Sequence, residues 1–318
     1  SRIGGGLRKS LLKWKKKIKN VRQKGPEKMK GSMVPLAVEG IADWSNDEMA
    51  GVDLGDKRLN RRAQETLTKL GKHPSGSIPY GCDDWADTKA TYELFKNEKV
   101  TAEKLRQPHQ ERTWERVVKE KCVLAVQDTS LLDYSHYEKM EGLGPIGTKA
   151  QNLRGVLLHG TMAVTPAGVP LGHLHQMLWA RSDEEEKLSA AEKKKRPIKE
   201  KESYKWIESL QAISKQQPEG TQVVSVCDAE SDVYELLAEA EKLDAAYLIR
   251  AAQDRSVIDP EVRTLRPALL KRAPKAQLTI AVSAKKNEPK RQARVAVRYR
   301  KLQLKAPYRP QQPGHKPL

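Results

Sequence analysis

Val123-Leu124-Ala125-Val126-Gln127-Asp128 and Val223-Val224-Ser225-Val226-Cys227-Asp228 share one form: an apolar run that leads straight into an aspartate. Short β-branched runs of this kind predict buried strands. Two such strands paired in parallel would bring both carboxylates to one sheet edge. Working outward, further strands are expected at Val156–Val164, Val169–Trp179 and Ala246–Arg250, and helices at Tyr204–Ser214 and Asp232–Leu243. With Cys122–Gln127 and Gln222–Cys227, the order becomes three strands, helix, strand, helix, strand. That order predicts an α/β fold, a mixed sheet with flanking helices, in which the first three strands meander and the later ones join by crossovers.

Charge divides the chain. Of a net +18, residues 1–33 carry twelve Lys/Arg against one Glu, and residues 260–318 carry sixteen against two. The middle is therefore slightly acidic, a globular body between two basic ends. So basic a chain points to a polyanionic partner. No apolar run approaches the roughly 18 residues that span a bilayer, which excludes an integral membrane protein. Of the two polyanions the charge allows, nucleic acid and an anionic membrane surface, DNA and no membrane is the expected partner. Three cysteines without ligand spacing suggest a reducing compartment, and a cytoplasmic location is expected. His173 and His175 would share a strand face, but no third ligand accompanies them for zinc.

Four segments follow. Residues 1–33 read as a basic, disordered arm, although Leu11, Leu12, Trp14 and Ile18 also allow a short amphipathic helix. Residues 34–118 read as a helical head. Within it a helix begins after Leu54-Gly55-Asp56 and ends near Gly71, a second covers Asp84 to Asn97, and a third starts at Thr101. On the first, Leu59, Ala63, Leu67 and Leu70 share a face, while Arg58, Arg61, Arg62 and Lys69 form another that is either a solvated surface or a DNA contact. Residues 119–256 hold the sheet, with an exposed charged loop at Ser182–Lys201. Residues 257–318 are basic and strand-rich, with strands at Gln277–Val282 and Arg291–Leu304; Arg294, Arg298 and Arg300 would share the polar face of the second.

Asp128 and Asp228 are the carboxylates expected to hold Mg²⁺ (or Mn²⁺), a hard cation commonly bound by one or two carboxylates plus phosphate oxygens. Thr129 and Ser130 could position a phosphate or serve as turn residues. Asp232 reads as the N-cap of the helix that follows it.

Several segments in order resemble bacterial cut-and-paste DDE transposases of the transposon-five type, in the insertion-sequence-four group. They are Asp128-Thr129-Ser130-Leu131, Gly172-His173-Leu174-His175-Gln176, Glu202-Ser203-Tyr204-Lys205-Trp206 and Cys227-Asp228-Ala229-Glu230-Ser231-Asp232. Ala42-Asp43-Trp44, Leu54-Gly55-Asp56-Lys57-Arg58 and Ala90-Thr91-Tyr92-Glu93-Leu94-Phe95-Lys96-Asn97 extend the likeness to residues 38–305. The resemblance implies a ribonuclease-H-like core with a partial β-rich insertion, a DNA-binding head, a homodimer in the full-length protein and Mg²⁺ or Mn²⁺. It implies that Asp128 and Asp228 are the first two acids, that Arg58 and Arg62 lie on the end-binding helix, and that Arg250 is a basic residue after the second acid. The family's third acid, a glutamate in a Tyr…Arg…Glu…Lys pattern, has no counterpart after Asp228. A truncated, inert transposase is therefore expected of this chain, with a non-catalytic end-binding protein or inhibitor of the full-length transposase as the alternative.

Overall fold

The computed structural model describes residues 44–184, 188–284, 288–307 and 316–318. The basic arm and Ala42-Asp43 lie outside the described residues. The chain compacts into two units, the first reaching Ala180 and regaining 212–226, the second comprising 181–211 and 227–318.

In the first unit, residues 44–48 are helical, followed by α1 (Lys57–Lys72), α2 (Ile78–Gly81), α3 (Trp85–Lys96) and α4 (Ala102–Val117). Three of these starts are fixed by side-chain caps. The side chains of Asp56, Asp84 and Thr101 accept from the backbone N–H groups of Arg58, Asp87 and Lys104. The apolar face of α1 is buried as its spacing predicts: Ala63 packs with Met49, Val52, Leu54 and Leu94, flanked by Leu59 and Leu67.

Four further strands and a fifth from later in the chain complete this unit: β1 (Cys122–Asp133), β2 (Gly144–Ile146), β3 (Leu153–Val164), β4 (Pro170–Trp179) and β5 (Gln222–Cys227). The order is β2-β3-β1-β5, with β4 also on β3. β3 runs antiparallel to both β1 and β4, whereas β5 runs parallel to β1 with Val126 opposite Val226. The sheet is thus mixed, with helices beside it. One face buries Val123, Ala125, Ala163, Leu174 and Val223 against Val117 of α4 and Ile213. The other gathers Leu124, Val126 and Val226. β3 and β1 approach so closely that a Cβ on Gly155 would lie 2.0 Å from the Leu132 carbonyl oxygen. At Gly172, φ is +136° and a Cβ would meet Thr113 Oγ1 of α4 at 2.1 Å, so glycine is required twice over.

The second unit includes α5 (Ala190–Lys195), α7 (Tyr234–Lys242), β6 (Ala246–Ile249), β7 (Val257–Ile258), α8 (Leu265–Leu270), β8 (Ala276–Val282), β9 (Arg291–Val297) and β10 (Gln303–Leu304). The helix α6 (Tyr204–Gln216) starts in it, and Trp206, Ile207 and Leu210 pack with Cys227, Leu236 and Ala240. A smaller core joins Val257, Val262 and Ala268. β7 pairs with β10, and β8 with β9, as two-stranded ribbons.

Three expectations change. The charged loop Ser182–Lys201 contains α5, which forms because Ser189 and Glu192 make a reciprocal capping box. The strand expected over Arg291–Leu304 breaks at Val297, where pairing with β8 ends at Ala276. Asp232 is not the N-cap of α7, which starts after Val233 with no side-chain cap, for the reason given below.

Candidate functional site

Asp128 was expected at the end of its strand and instead lies inside β1, because the ladder to β3 continues past it: Asp128 faces Gly160 and pairing runs on to Asp133. The parallel register with β5 stops earlier, at Val126 opposite Val226. Asp128 follows the first of these valines by two residues, and Asp228 follows the second by two. Asp128 is half-buried, and its Oδ1 accepts from the Thr129 N–H at 3.1 Å.

Strand alternation turns Gln127 and Thr129 to the opposite face from Asp128. There the His159 ring, fully buried on β3, joins them: Nδ1 lies 2.9 Å from Thr129 Oγ1 and Nε2 lies 3.2 Å from Gln127 Oε1. The Thr129 hydroxyl is therefore part of a buried polar layer under β1 and does not share a face with Asp128.

In the second unit, Asp228 caps a 3₁₀ turn at Ala229–Ser231, its Oδ1 accepting from the Glu230 N–H at 2.9 Å. Ser231 Oγ donates to the Asp228 carbonyl at 2.6 Å, which fixes the turn. Burial pushes the neighbouring Cys227 thiol up to about 12, so this cysteine is an apolar filler and not a nucleophile.

Four residues beyond Asp228, the Asp232 carboxylate is filled. Oδ2 accepts from the backbone N–H groups of Ala252 (2.7 Å) and Gln253 (2.9 Å). Oδ1 accepts from Arg255 Nε (2.8 Å) and a terminal guanidinium nitrogen (2.6 Å), which also donates to the Asp232 carbonyl. Burial works against the charged form, yet these donors hold the carboxyl below its ordinary value. This engagement explains why Asp232 does not cap α7.

The basic residues expected to meet DNA separate into two kinds. On α1, Arg58 and Arg61 reach into solvent, with side chains 88% and 75% exposed and only local pairing to Asp56 and Glu65. Arg62 and Lys69 instead converge on Asp87 of α3, at 3.0 and 2.7 Å. Burial would lower the Lys69 pKa, but hydrogen bonds to Asp87 and Asp83 raise it. These two cations tie α1 to α3. In the second unit, Arg250 follows β6 and Arg294 lies on β9, both exposed. Arg298 donates to the Arg272 carbonyl at 2.9 Å, and Arg300 pairs with Asp259. Since β9 ends at Val297, Arg294, Arg298 and Arg300 do not form one strand face.

One polar cluster has no periodic signal in the sequence. Arg116 of α4 donates to Glu48 Oε1 (2.7 Å) and to the Leu171 carbonyl (2.7 Å), while His109 Nδ1 lies 2.6 Å from Glu48 Oε2. His109 Nε2 accepts the His173 N–H at 3.0 Å, so Nδ1 carries the proton and donates to Glu48. That bond engages the backbone N–H of His173 on β4 and not its imidazole ring. Among the described residues, no three His, Cys, Asp or Glu side chains gather as a metal-holding set.

Residues 41–100 match the family model described as transposase DNA-binding. The matched span takes in the described helices α1 to α3, and it supports a transposase that binds DNA. Among solved structures, a pre-cleavage Mos1 transpososome is 12% identical over 77% of this chain and 68% of that chain, with a TM-score of 0.22. Among the described residues, no helix is long and apolar enough to cross a membrane.

Proposed function

We propose that this chain is a DDE-type DNA transposase of the cut-and-paste kind, working in the cytoplasm on double-stranded DNA as part of a homodimer. The observation that carries the reading is the transposase DNA-binding match over residues 41–100. The sheet order β4-β3-β1-β5, antiparallel except for β5 beside β1, supports a ribonuclease-H-like core over residues 119–256. The β8–β9 ribbon supports a β-rich insertion beginning near residue 257, after a head at 34–118.

In this reading Asp128 and Asp228 are the first two acids. The in-register pairing of β1 with β5 supports that role, since each aspartate follows its partnered valine by the same distance. Two carboxylates are hard oxygen donors suited to Mg²⁺ or Mn²⁺, which complete their shell with water and phosphate oxygens. Such a metal supplies charge stabilisation to the attacking and leaving oxygens of phosphoryl transfer. The chain's own contribution is to hold these carboxylates: Thr129 N–H fixes Asp128, and the Glu230 N–H and Ser231 hydroxyl fix the Asp228 turn. The third acid has no counterpart in the sequence, so this polypeptide by itself is proposed not to cut DNA.

A second reading, a non-catalytic protein that occupies transposon ends, draws on the same DNA-binding match. Two measurements test the readings. Selection from random duplexes at 0.2 M salt, on the order of physiological ionic strength, is expected to enrich one sequence; failure to enrich any sinks the end-binding role. Incubating the chain and Mn²⁺ with supercoiled plasmid carrying that sequence is expected to leave it intact. Nicking that disappears in Asp128→Ala would overturn the inert reading and establish catalysis.

A further inference from the structure

Asp232 lies four residues beyond Asp228, in a run rich in acids, and its chemistry differs from that of a metal ligand. Its two oxygens accept four donors within one short turn, from Ala252, Gln253 and Arg255. The side chain is only 4% exposed. A carboxylate so filled has no lone pair directed at solvent for a cation. What it does is fix a turn that begins next to Asp228: the Arg250 N–H donates to the Cys227 carbonyl at 3.3 Å, placing residue 250 beside the residue before that acid. Residues 252–255 are then clamped to Asp232. Further bonds hold the same turn from the other side, with Leu265 N–H donating to the Arg255 carbonyl (2.9 Å) and Arg266 N–H to Asp254 Oδ1 (2.6 Å). The exposed residue in this braced stretch that carries a charge suited to phosphate is Arg250.

We propose that Asp232 is a positioning residue for DNA contact, locking the 252–255 turn so that Arg250 is presented to a backbone phosphate next to Asp228. The proposal rests on the DNA-binding reading above. Arg255 is the brace and not a contact, because its guanidinium is spent on the Asp232 side chain and carbonyl. A guanidinium presented on a fixed backbone loses less freedom when it binds phosphate than one on a mobile loop.

The test uses the full chain and a fluorescent 30-base-pair duplex (about three turns, long enough to cover a module), with affinity measured across a salt series. Arg250→Ala is expected to lower affinity roughly tenfold and to reduce the slope of log K against log salt by about 0.9, the loss of one phosphate contact. Asp232→Asn, with Arg250 intact, is expected to reduce the slope by the same amount, and the double variant by no more than either alone. A merely structural role would lower the melting temperature without moving the slope. If Asp232→Asn does not fold, Arg255→Lys, which keeps the charge but loses the fork, is expected to show the same slope loss. An unmoved slope in the folded variant, or additive losses in the double variant, overturns the positioning role while leaving DNA binding intact. Absence of salt-dependent binding by the unsubstituted chain overturns both.

Discussion

On α1, Arg58 and Arg61 stand in solvent while Arg62 and Lys69 are drawn onto Asp87; in the second unit, Arg250 and Arg294 stand in solvent while Arg255 and Arg300 are drawn onto Asp232 and Asp259. The two regions share no sequence pattern, yet each divides its cations in the same way. A cation held by a sheltered carboxylate ties elements together and brings little net charge to the surface. An exposed one releases a counterion when it meets phosphate. A count of basic residues therefore overstates how many can hold DNA, and the division can be broken by experiment.

The largest effect is expected at Asp87, since its removal takes from Arg62 and Lys69 the sheltered partner they share. Asp87→Ala is expected to cost about 2 kcal/mol in a chemical melt, whereas Arg58→Ala should stay within about 0.5 kcal/mol. The pH dependence has a definite sign. Burial raises the Asp87 pKa, but the hydrogen bonds from Lys69 and the Asp83 N–H, with the Lys69 charge, together hold it below its ordinary 3.8. Its contribution is complete above 3.8 and fades as pH falls through the lower folded value. Lys69 is raised above 10.5, so its contribution is complete below 10.5 and fades as pH climbs past the folded value. In Asp87→Ala the alkaline loss is expected to shrink. Equal stabilities for the Asp87→Ala and Arg58→Ala chains would erase the distinction between tie and contact.

DNA binding sharpens the same contrast. Replacing Arg58 and Arg61 together by alanine is expected to weaken duplex binding by tenfold or more, and to reduce the salt slope by about 1.8, two phosphate contacts at about 0.9 each. Lys69→Ala should lower stability with a slope change well under 0.9. A Lys69 variant that stays as stable as the parent but loses a full slope unit would place the contact surface on the other side of α1.

Local physics made much of this molecule legible. The caps at Asp56, Asp84 and Thr101 and the period of Leu59, Ala63 and Leu67 are short-range signals, and the helices start and pack where those signals lie. The apolar runs before Asp128 and Asp228 are equally local, and β1 and β5 pair in register. What escaped was partner choice at long range. Asp232 looked like a cap because caps are local, but its donors lie 20 to 23 residues away and no periodicity announces them. The Glu48 link to Arg116 spans 68 residues, and the continuation of β1 past Asp128 depends on β3. The arginines of 294–300 were assigned one face by a period of two, which fails once β9 ends at Val297, opposite Ala276, and the backbone leaves the ladder.

That failure gives the finest test. Arg294 and Arg298 are four residues apart, alike in charge, and both would have faced DNA on an unbroken strand. In the fold Arg294 is exposed opposite Thr279, while Arg298 Nε is bonded to the Arg272 carbonyl. A guanidinium that closes a turn must give up that bond before it can meet a phosphate, and the exchange gains little. Arg294→Ala is therefore expected to reduce the salt slope by up to about 0.9 and affinity by a few-fold, and Arg298→Ala to leave the slope unchanged while lowering the melting temperature slightly. Equal slope losses would mean that the turn opens on DNA and that cations tied to carbonyl oxygens remain available, unlike those tied to carboxylates.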